Sequence, residues 1–193
     1  MTDLAERRDL DQVYQPAEDS RLLAETAADR VGDGDLVLDV GTGSGYVASV
    51  AADAGADVVG ADINPLACRE ARENGVPVVQ ANLTAPFHEG VFDLVLFNPP
   101  YLPTPPEEER DDWMEYALSG GEDGRAVIEP FLDDVGRVLA PGGEVLLLVS
   151  TLTGEDAVVD YADTRGFDAT EVASEKHAFE RLLVLGLRPS TDG

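Results

Sequence analysis

The 193-residue chain has one cysteine (Cys68), one lysine (Lys176) and two histidines (His88 and His177), and each shortage excludes something. A lone cysteine rules out an internal disulfide, and without a Cys/His cluster there is no zinc site to expect. Cys68 reads as a small apolar core residue. His88 and His177 have no matching ligands near them and read as surface residues. No apolar run approaches the ~20 residues of a spanning helix, and no signal-peptide pattern is present. The expected location is the cytoplasm, with no membrane contact. Positive charge is also scarce: 13 Lys and Arg stand against 39 Asp and Glu, for a net charge of −26. The acids are spread along the chain, so they do not make one acidic binding patch. No basic stripe supplies the phosphate contacts that duplex binding needs, which disfavours nucleic acid as a partner. A solvated anionic surface suits a cytoplasm of very high salt, where self-repulsion is screened, and points to a halophilic archaeal source.

What is present alternates between strand and helix patterns, as in a mainly parallel sheet with helices on both faces. Strands are expected at Leu36–Val40, Asp57–Ala61, Val76–Ala81, Phe92–Phe97 and Glu144–Val149. Helices are expected over Arg21–Arg30, Ser44–Ala54, from Pro65, over Arg125–Leu139 and over Glu155–Arg165. Pro141-Gly142-Gly143 is read as the stop of the fourth. Phe167–Ala173 and Arg181–Leu187 are expected to close the sheet as an antiparallel pair. The length fits one domain, with an N-terminal helical segment over 14–34 and a loop on the substrate side over 102–124.

Three motifs sit at the ends of the predicted strands. The run Phe92 to Phe97 is apolar apart from Asp93 and leads into Asn98-Pro99-Pro100-Tyr101. Neither proline can donate to a ladder, so the chain leaves the strand in a stiff turn. Open α/β sheets place their ligands at that end. The Asn98 side-chain oxygen and the Pro99 carbonyl are two adjacent acceptors, suited to the two in-plane donors of a planar NH₂ group. The second motif, Asp39-Val40-Gly41-Thr42-Gly43-Ser44-Gly45, follows Leu36-Val37-Leu38 and brings backbone close to a ligand at a helix start. It lacks the third glycine of a dinucleotide fingerprint, where Tyr46 stands. Asp39 ahead of the glycines would repel a pyrophosphate and favour a cationic, amino-acid-bearing ligand. The third is Asp62-Ile63-Asn64-Pro65, whose Asp62 can accept from both hydroxyls of a ribose. Singly, each also fits an ordinary α/β turn or acidic loop; their alignment at three strand ends does not.

With these residues the chain resembles the class I S-adenosylmethionine-dependent methyltransferases, and the resemblance implies a Rossmann-like, seven-stranded fold. It casts Asp39, Gly41, Thr42, Gly43 and Gly45 as the cofactor loop, with Asp62 and Ile63 at the ribose and Asn98 beside both cofactor and substrate. Tyr14-Gln15-Pro16-Ala17-Glu18-Asp19-Ser20 and Gly120-Gly121-Glu122-Asp123-Gly124-Arg125 are similar to segments of the HemK-related enzymes. Those enzymes methylate the glutamine of the Gly-Gly-Gln motif in translation termination factors. The chain starts almost directly at the first segment, as in the short archaeal and eukaryotic branch. One position departs from the pattern: where most relatives have an Asp for the adenine amino group, this chain has Asn82, followed by Leu83. An Asn oxygen can accept the same bond. Ser20 has two readings, a cofactor contact or the N-cap of the Arg21–Arg30 helix.

The resemblance implies that Asn98, Pro99 and Tyr101 carry the reaction, with Pro100 and Leu102 completing the substrate-binding turn. Trp113 and Tyr116, in and beside the acidic stretch Pro103–Glu115, either close over substrate or pin that loop. The expected partners are a termination factor as substrate and a small zinc-containing activator subunit. The activator is expected to dock at edge strand 76–81, whose Val76, Val78 and Val79 carry no Lys or Arg guard. Three other readings use the same features: a nucleobase amino-group methyltransferase, a protein lysine methyltransferase, and a non-catalytic cofactor-binding or assembly protein.

Overall fold

Leu36–Val40, read as a strand from its apolar run, becomes the first strand of the sheet and one of its central ones. The computed structural model describes residues 13, 15–105 and 113–190, without side chains at 114–116. Its elements are α1 (Glu18–Ala28), β1 (Leu36–Val40), α2 (Tyr46–Asp53), β2 (Asp57–Asp62), α3 (Pro65–Glu73), β3 (Val78–Gln80) and β4 (Phe92–Phe97). They continue with α4 (Trp113–Leu118), α5 (Ile128–Val138), β5 (Leu139–Ser150), a 3₁₀ turn (Thr151–Thr153), α6 (Glu155–Thr164), β6 (Phe167–Lys176) and β7 (Arg181–Pro189). The strand order is β3-β2-β1-β4-β5-β7-β6, with β1 to β5 parallel to one another. β7 runs antiparallel to both β5 and β6. This is the expected Rossmann-like α/β sheet with its antiparallel C-terminal pair.

Both faces of the sheet are covered. Val95 and Phe97 of β4 pack with Ile128, Phe131 and Val135 of α5 and Val158 of α6, while Leu94 and Leu96 pack with Leu23 and Ala27 of α1 and Val47 of α2. Burial on both sides is why β4 reads as a continuous apolar run instead of an alternating one. None of the helices in the described residues is long and apolar enough to cross a membrane.

Three expectations need correcting. Pro141-Gly142-Gly143 does not stop a helix: α5 ends at Val138 and the triplet lies inside β5. The register slips there, from Phe92 opposite Leu139 to Leu94 opposite Glu144, a bulge in which proline is tolerated. A Cβ on Gly143 would stand 2.8 Å from the Phe92 oxygen, so the bulge needs a glycine. Secondly, α1 begins at Glu18 with Ala17 at its N-cap position, so Ser20 lies inside the helix and is not its cap. Thirdly, β3 is only Val78–Gln80. It does lie at the sheet edge, but Val76 is buried against Ala48 and Ala71. The edge also has a guard, because Arg72 Nη2 donates to the Val78 carbonyl at 3.0 Å. Tyr14, residues 106–112 of the acidic loop and the Tyr116 side chain lie outside the described residues.

Candidate active site

Strand order reverses between β1 and β4, so the loops leaving their carboxyl ends diverge and leave a crevice. A cavity of about 230 Å³ occupies it, lined by the loop after β1, the end of β2, the turn after β4 and α1. Gly41, Gly43 and Gly45 have φ of 64°, 54° and 84°, left-handed values that carry the chain around the cavity at no steric cost. Gly45 itself does not line the cavity. It lies behind it, where a Cβ would stand 2.9 Å from Val76 Cγ2.

Asp39 is buried at the end of β1. Its Oδ2 accepts from Thr42 Oγ1 at 2.6 Å and from the Ala48 N–H at 3.2 Å, leaving Oδ1 for a ligand. Burial lifts its pKa from 3.8 to about 7, opposed by those two bonds and helped by the nearby Asp62 charge. Asp62 is also raised, chiefly by burial. Its two oxygens are fixed by the Gly43 N–H at 2.9 Å and the Asn64 N–H at 2.8 Å. Each oxygen retains a lone pair, so the carboxylate can accept from two vicinal hydroxyls. Ile63, Asn82 and Leu83 line the same side. Leu83 has φ of 51°, the one left-handed residue other than glycine among the described residues. Strain of this kind costs about 1–3 kcal/mol and tends to sit where a backbone is shaped for a ligand.

The turn after β4 closes the other side. Asn98 Nδ2 donates to Asp19 Oδ2 at 3.1 Å and contacts Ser20 Oγ at 3.4 Å. Its Oδ1 is buried with no hydrogen-bond partner. A buried acceptor left open is costly unless something fills it, and it lines the cavity where Pro99, Pro100 and Tyr101 also lie. Tyr101 Oη also reaches Asp19 Oδ2, at 3.5 Å. Asp19, only 4 % exposed, therefore orients the turn, and the sequence did not single it out. In a chain with 39 acids, nothing in the sequence marks Asp19 as one of the few that are buried. Leu102, like Gly45, is a predicted residue that falls outside the cavity: it is 36 % exposed and paired with Ser119. Trp113 does line the cavity.

The Gly120–Arg125 motif seats this turn. The Leu102 N–H donates to Leu118 O at 3.0 Å, and Gly120 N–H returns to Leu102 O at 2.9 Å. Gly124, at φ 78°, packs so closely that a Cβ would stand 2.6 Å from the Tyr101 carbonyl and 2.7 Å from Thr153 Cγ2. Arg125 Nη1 anchors the motif on the Thr153 carbonyl at 2.7 Å. Gly124→Ala is expected to destabilise the fold by about 1–3 kcal/mol, from left-handed strain plus the clash, and to lower turnover by shifting Tyr101. Thermal denaturation with steady-state kinetics checks both effects. An alanine variant with unchanged Tm and turnover would show that the seat is not needed.

Comparison with known proteins agrees with this geometry. A family model described as a methyltransferase domain matches residues 38–99, from β1 to the first proline of the turn. A Methanocaldococcus jannaschii protein, provisionally named a protein N5-glutamine methyltransferase, is 39 % identical over 90 % of this chain and 90 % of its own. The mouse methyltransferase HEMK2 is 35 % identical over 90 % of this chain and 88 % of its own. Among solved structures, the E. cuniculi Mtq2–Trm112 complex, responsible for methylation of the termination factor eRF1, superposes with a TM-score of 0.76. It has 28 % identity and covers 93 % of this chain and 99 % of that one.

Proposed function

Since the chain belongs to the HemK-related protein N5-glutamine methyltransferases, a family dependent on S-adenosylmethionine, we propose that it methylates the glutamine side-chain amide of a Gly-Gly-Gln motif in a translation termination factor. The cleft fits the cofactor. Asp62 would accept from the two ribose hydroxyls, with Ile63, Asn82 and Leu83 available for the sugar and adenine. Asp39 and the loop Gly41-Thr42-Gly43 take the cationic amino-acid end, and Ser20 completes the wall beside Asn98. Asn82 accepts from the adenine amino group through its side-chain oxygen. Bound S-adenosylmethionine supplies a methyl group already activated by a positive sulfur.

The protein's own task is placement. An amide nitrogen is a poor nucleophile because its lone pair is delocalised into the carbonyl. Asn98 Oδ1 and the Pro99 carbonyl would accept hydrogen bonds from its two N–H groups and hold the nitrogen facing the methyl group that the bound cofactor would supply. As the nitrogen–carbon bond forms, the same acceptors stabilise the charge growing on nitrogen. No tuned base is required, because the methylated nitrogen is then acidic enough to lose its proton to water. Tyr101 packs on the flat amide, and Pro100 stiffens the turn. The observation that carries this reading is the buried, unpartnered Asn98 Oδ1.

Asp19 earns a positioning role, because its bond to Nδ2 fixes which end of the Asn98 amide faces the cavity. Asp19→Ala leaves that N–H unmatched at a cost of about 1–3 kcal/mol. The expected outcome is a fall in kcat of about tenfold or more at unchanged cofactor Kd, partly restored in Asp19→Asn, whose side-chain oxygen still accepts. Equal losses in Asp19→Ala and Asp19→Asn would contradict a role confined to orientation.

A small zinc-containing activator is the proposed partner, forming a heterodimer by strand addition at β3. The E. cuniculi relative is seen in complex with Trm112. In this chain the outer edge offers Val79, which is 39 % exposed, once Arg72 releases the Val78 carbonyl. The anionic surface accords with a cytoplasm of high salt. The proposed function is tested by offering labelled S-adenosylmethionine with termination factor, tRNA and rRNA together in molar salt. Label in the protein fraction supports it; label in RNA alone replaces it with base methylation.

A further inference from the structure

Five large apolar side chains are exposed among the described residues: Ile63, Val79, Leu102, Leu152 and Phe179. Ile63 belongs to the cavity and Val79 to the β3 edge. The other three share one end of the sheet. Leu102 follows the turn after β4, and Leu152 lies in the 3₁₀ turn after β5, which is parallel to β4. Phe179 is in the β6–β7 connection, and because Leu182 of β7 pairs with Ser150 of β5, that connection also lies at the cavity end.

The three are joined by a rigid chain of contacts. Gly124 packs between the Tyr101 carbonyl and Thr153, and Arg125 holds the Thr153 carbonyl. Ser150 Oγ donates to Glu180 Oε2 at 2.5 Å, and the Arg181 N–H donates to Thr151 Oγ1 at 3.1 Å. The His177 N–H donates to Glu180 O at 2.8 Å, closing a tight turn with Phe179 at its tip, 95 % exposed. Two strand spacings separate this turn from β4, roughly 10 Å. A standard protein–protein interface, about 800 Å² on each partner, covers that distance from the cavity mouth. A nearly bare phenylalanine on so anionic a protein is a conspicuous anchor.

We propose that Leu102, Leu152 and Phe179 form an apolar strip that seats the folded protein carrying the target glutamine, and that the acids around it select a basic surface on that protein. This rests on the glutamine reading above. A side-chain amide reaches Asn98 only if its carrier lies against the cavity mouth, and the strip is continuous with that mouth through Tyr101 and Leu102. Glu155, Asp156, Glu175 and Glu180 stand near it in sequence; Arg181 meets Glu155 at 3.8 Å and Arg21 meets Glu175 at 3.3 Å, but the chain as a whole carries −26, so a basic partner is attracted and an acidic one, a second copy of this chain included, is repelled.

The test is steady-state methylation of full-length termination factor by wild type, Phe179→Ala and Leu152→Ser, each with the proposed activator in molar salt, with cofactor Kd, Tm and oligomeric state of the chain measured alongside. The expected result is a KM for the protein substrate raised about tenfold or more in Phe179→Ala and less in Leu152→Ser. kcat, cofactor Kd and Tm should stay within error, because neither side chain touches the cavity. An unchanged KM in both variants, with glutamine still methylated, overturns the strip alone. So does a wild-type dimer that Phe179→Ala turns into a monomer of unchanged KM, which would make the strip a self-association surface. A wild type that labels no glutamine overturns the strip and the glutamine reading together.

Discussion

Asn98→Ala is expected to lower kcat for methyl transfer by at least about 30-fold, equivalent to ~2 kcal/mol of transition-state stabilisation, the scale of losing one preorganised polar group at a developing charge. The size follows from what Oδ1 does at each stage. Within the chain it is buried and has no hydrogen-bond partner. In the proposed reaction it accepts one amide N–H, and that bond strengthens as nitrogen becomes positive, so the loss should fall on kcat more than on KM. Asn98→Asp sharpens the argument. It keeps an acceptor at Oδ1 but sets a second carboxylate where Nδ2 now donates to Asp19 at 3.1 Å. Two like charges that close cannot both ionise, so the protonated oxygen faces one neighbour or the other. Its turnover should fall with Asn98→Ala and rise at neither end of the pH range to the wild-type level. Single-turnover rates at saturating cofactor check both variants. Near-normal turnover in Asn98→Ala would remove the acceptor from the mechanism.

Asp39→Asn is expected to separate stability from binding. The folded-state pKa of Asp39, about 7, lies above the ordinary value of 3.8 because burial penalises the charged form. Between those two values the folded protein binds more protons than the unfolded one, so this group adds stability as pH falls through 7 and costs stability above it. At 1.36 kcal/mol per pH unit, the cost at pH 8 is at most about 4 kcal/mol. Asparagine removes that cost while its oxygen keeps the bonds from Thr42 and Ala48. The cofactor-free variant should therefore melt higher than wild type at pH 8, with the gap closing toward pH 4. Binding should move the other way. A cationic ligand favours ionised Asp39, so wild-type affinity should weaken as pH drops below 7, while the variant binds weakly at all pH values. Calorimetric Tm and cofactor Kd from pH 5 to 8 measure both, and the difference between the two proteins cancels the other acids. An Asp39→Asn protein less stable than wild type at pH 8 would contradict the assigned cost.

Much of this was legible in the sequence because the informative residues are ones whose backbone or packing leaves few choices. β1 and β4 have the predicted bounds since apolar runs buried on both faces have no alternative environment. The glycine loop and the Asn-Pro-Pro turn announce themselves through residues that restrict φ. What failed to show depends on contacts distant in sequence. Asp19 becomes important only when α1 brings it to Asn98, 79 residues away. The Arg72 guard is invisible to a reading that looks for basic residues within the strand itself, because it reaches the edge from α3. Pro141-Gly142-Gly143 gives a helix-stop signal that a β-bulge satisfies equally well, and the choice was settled by pairing with β4. Ser20 lost its capping role because α1 starts two residues before it, at Glu18.

The most direct test of the account is tandem mass spectrometry of a termination factor after incubation with the enzyme, the proposed activator and S-adenosylmethionine in high salt. Wild-type factor with Gly-Gly-Gln at its tip should gain the mass of one methyl group, placed by fragmentation on the glutamine side-chain nitrogen, and a Gly-Gly-Ala factor should gain none. A methyl group on a lysine, or equal incorporation into both factors, would contradict an active site built around a planar amide.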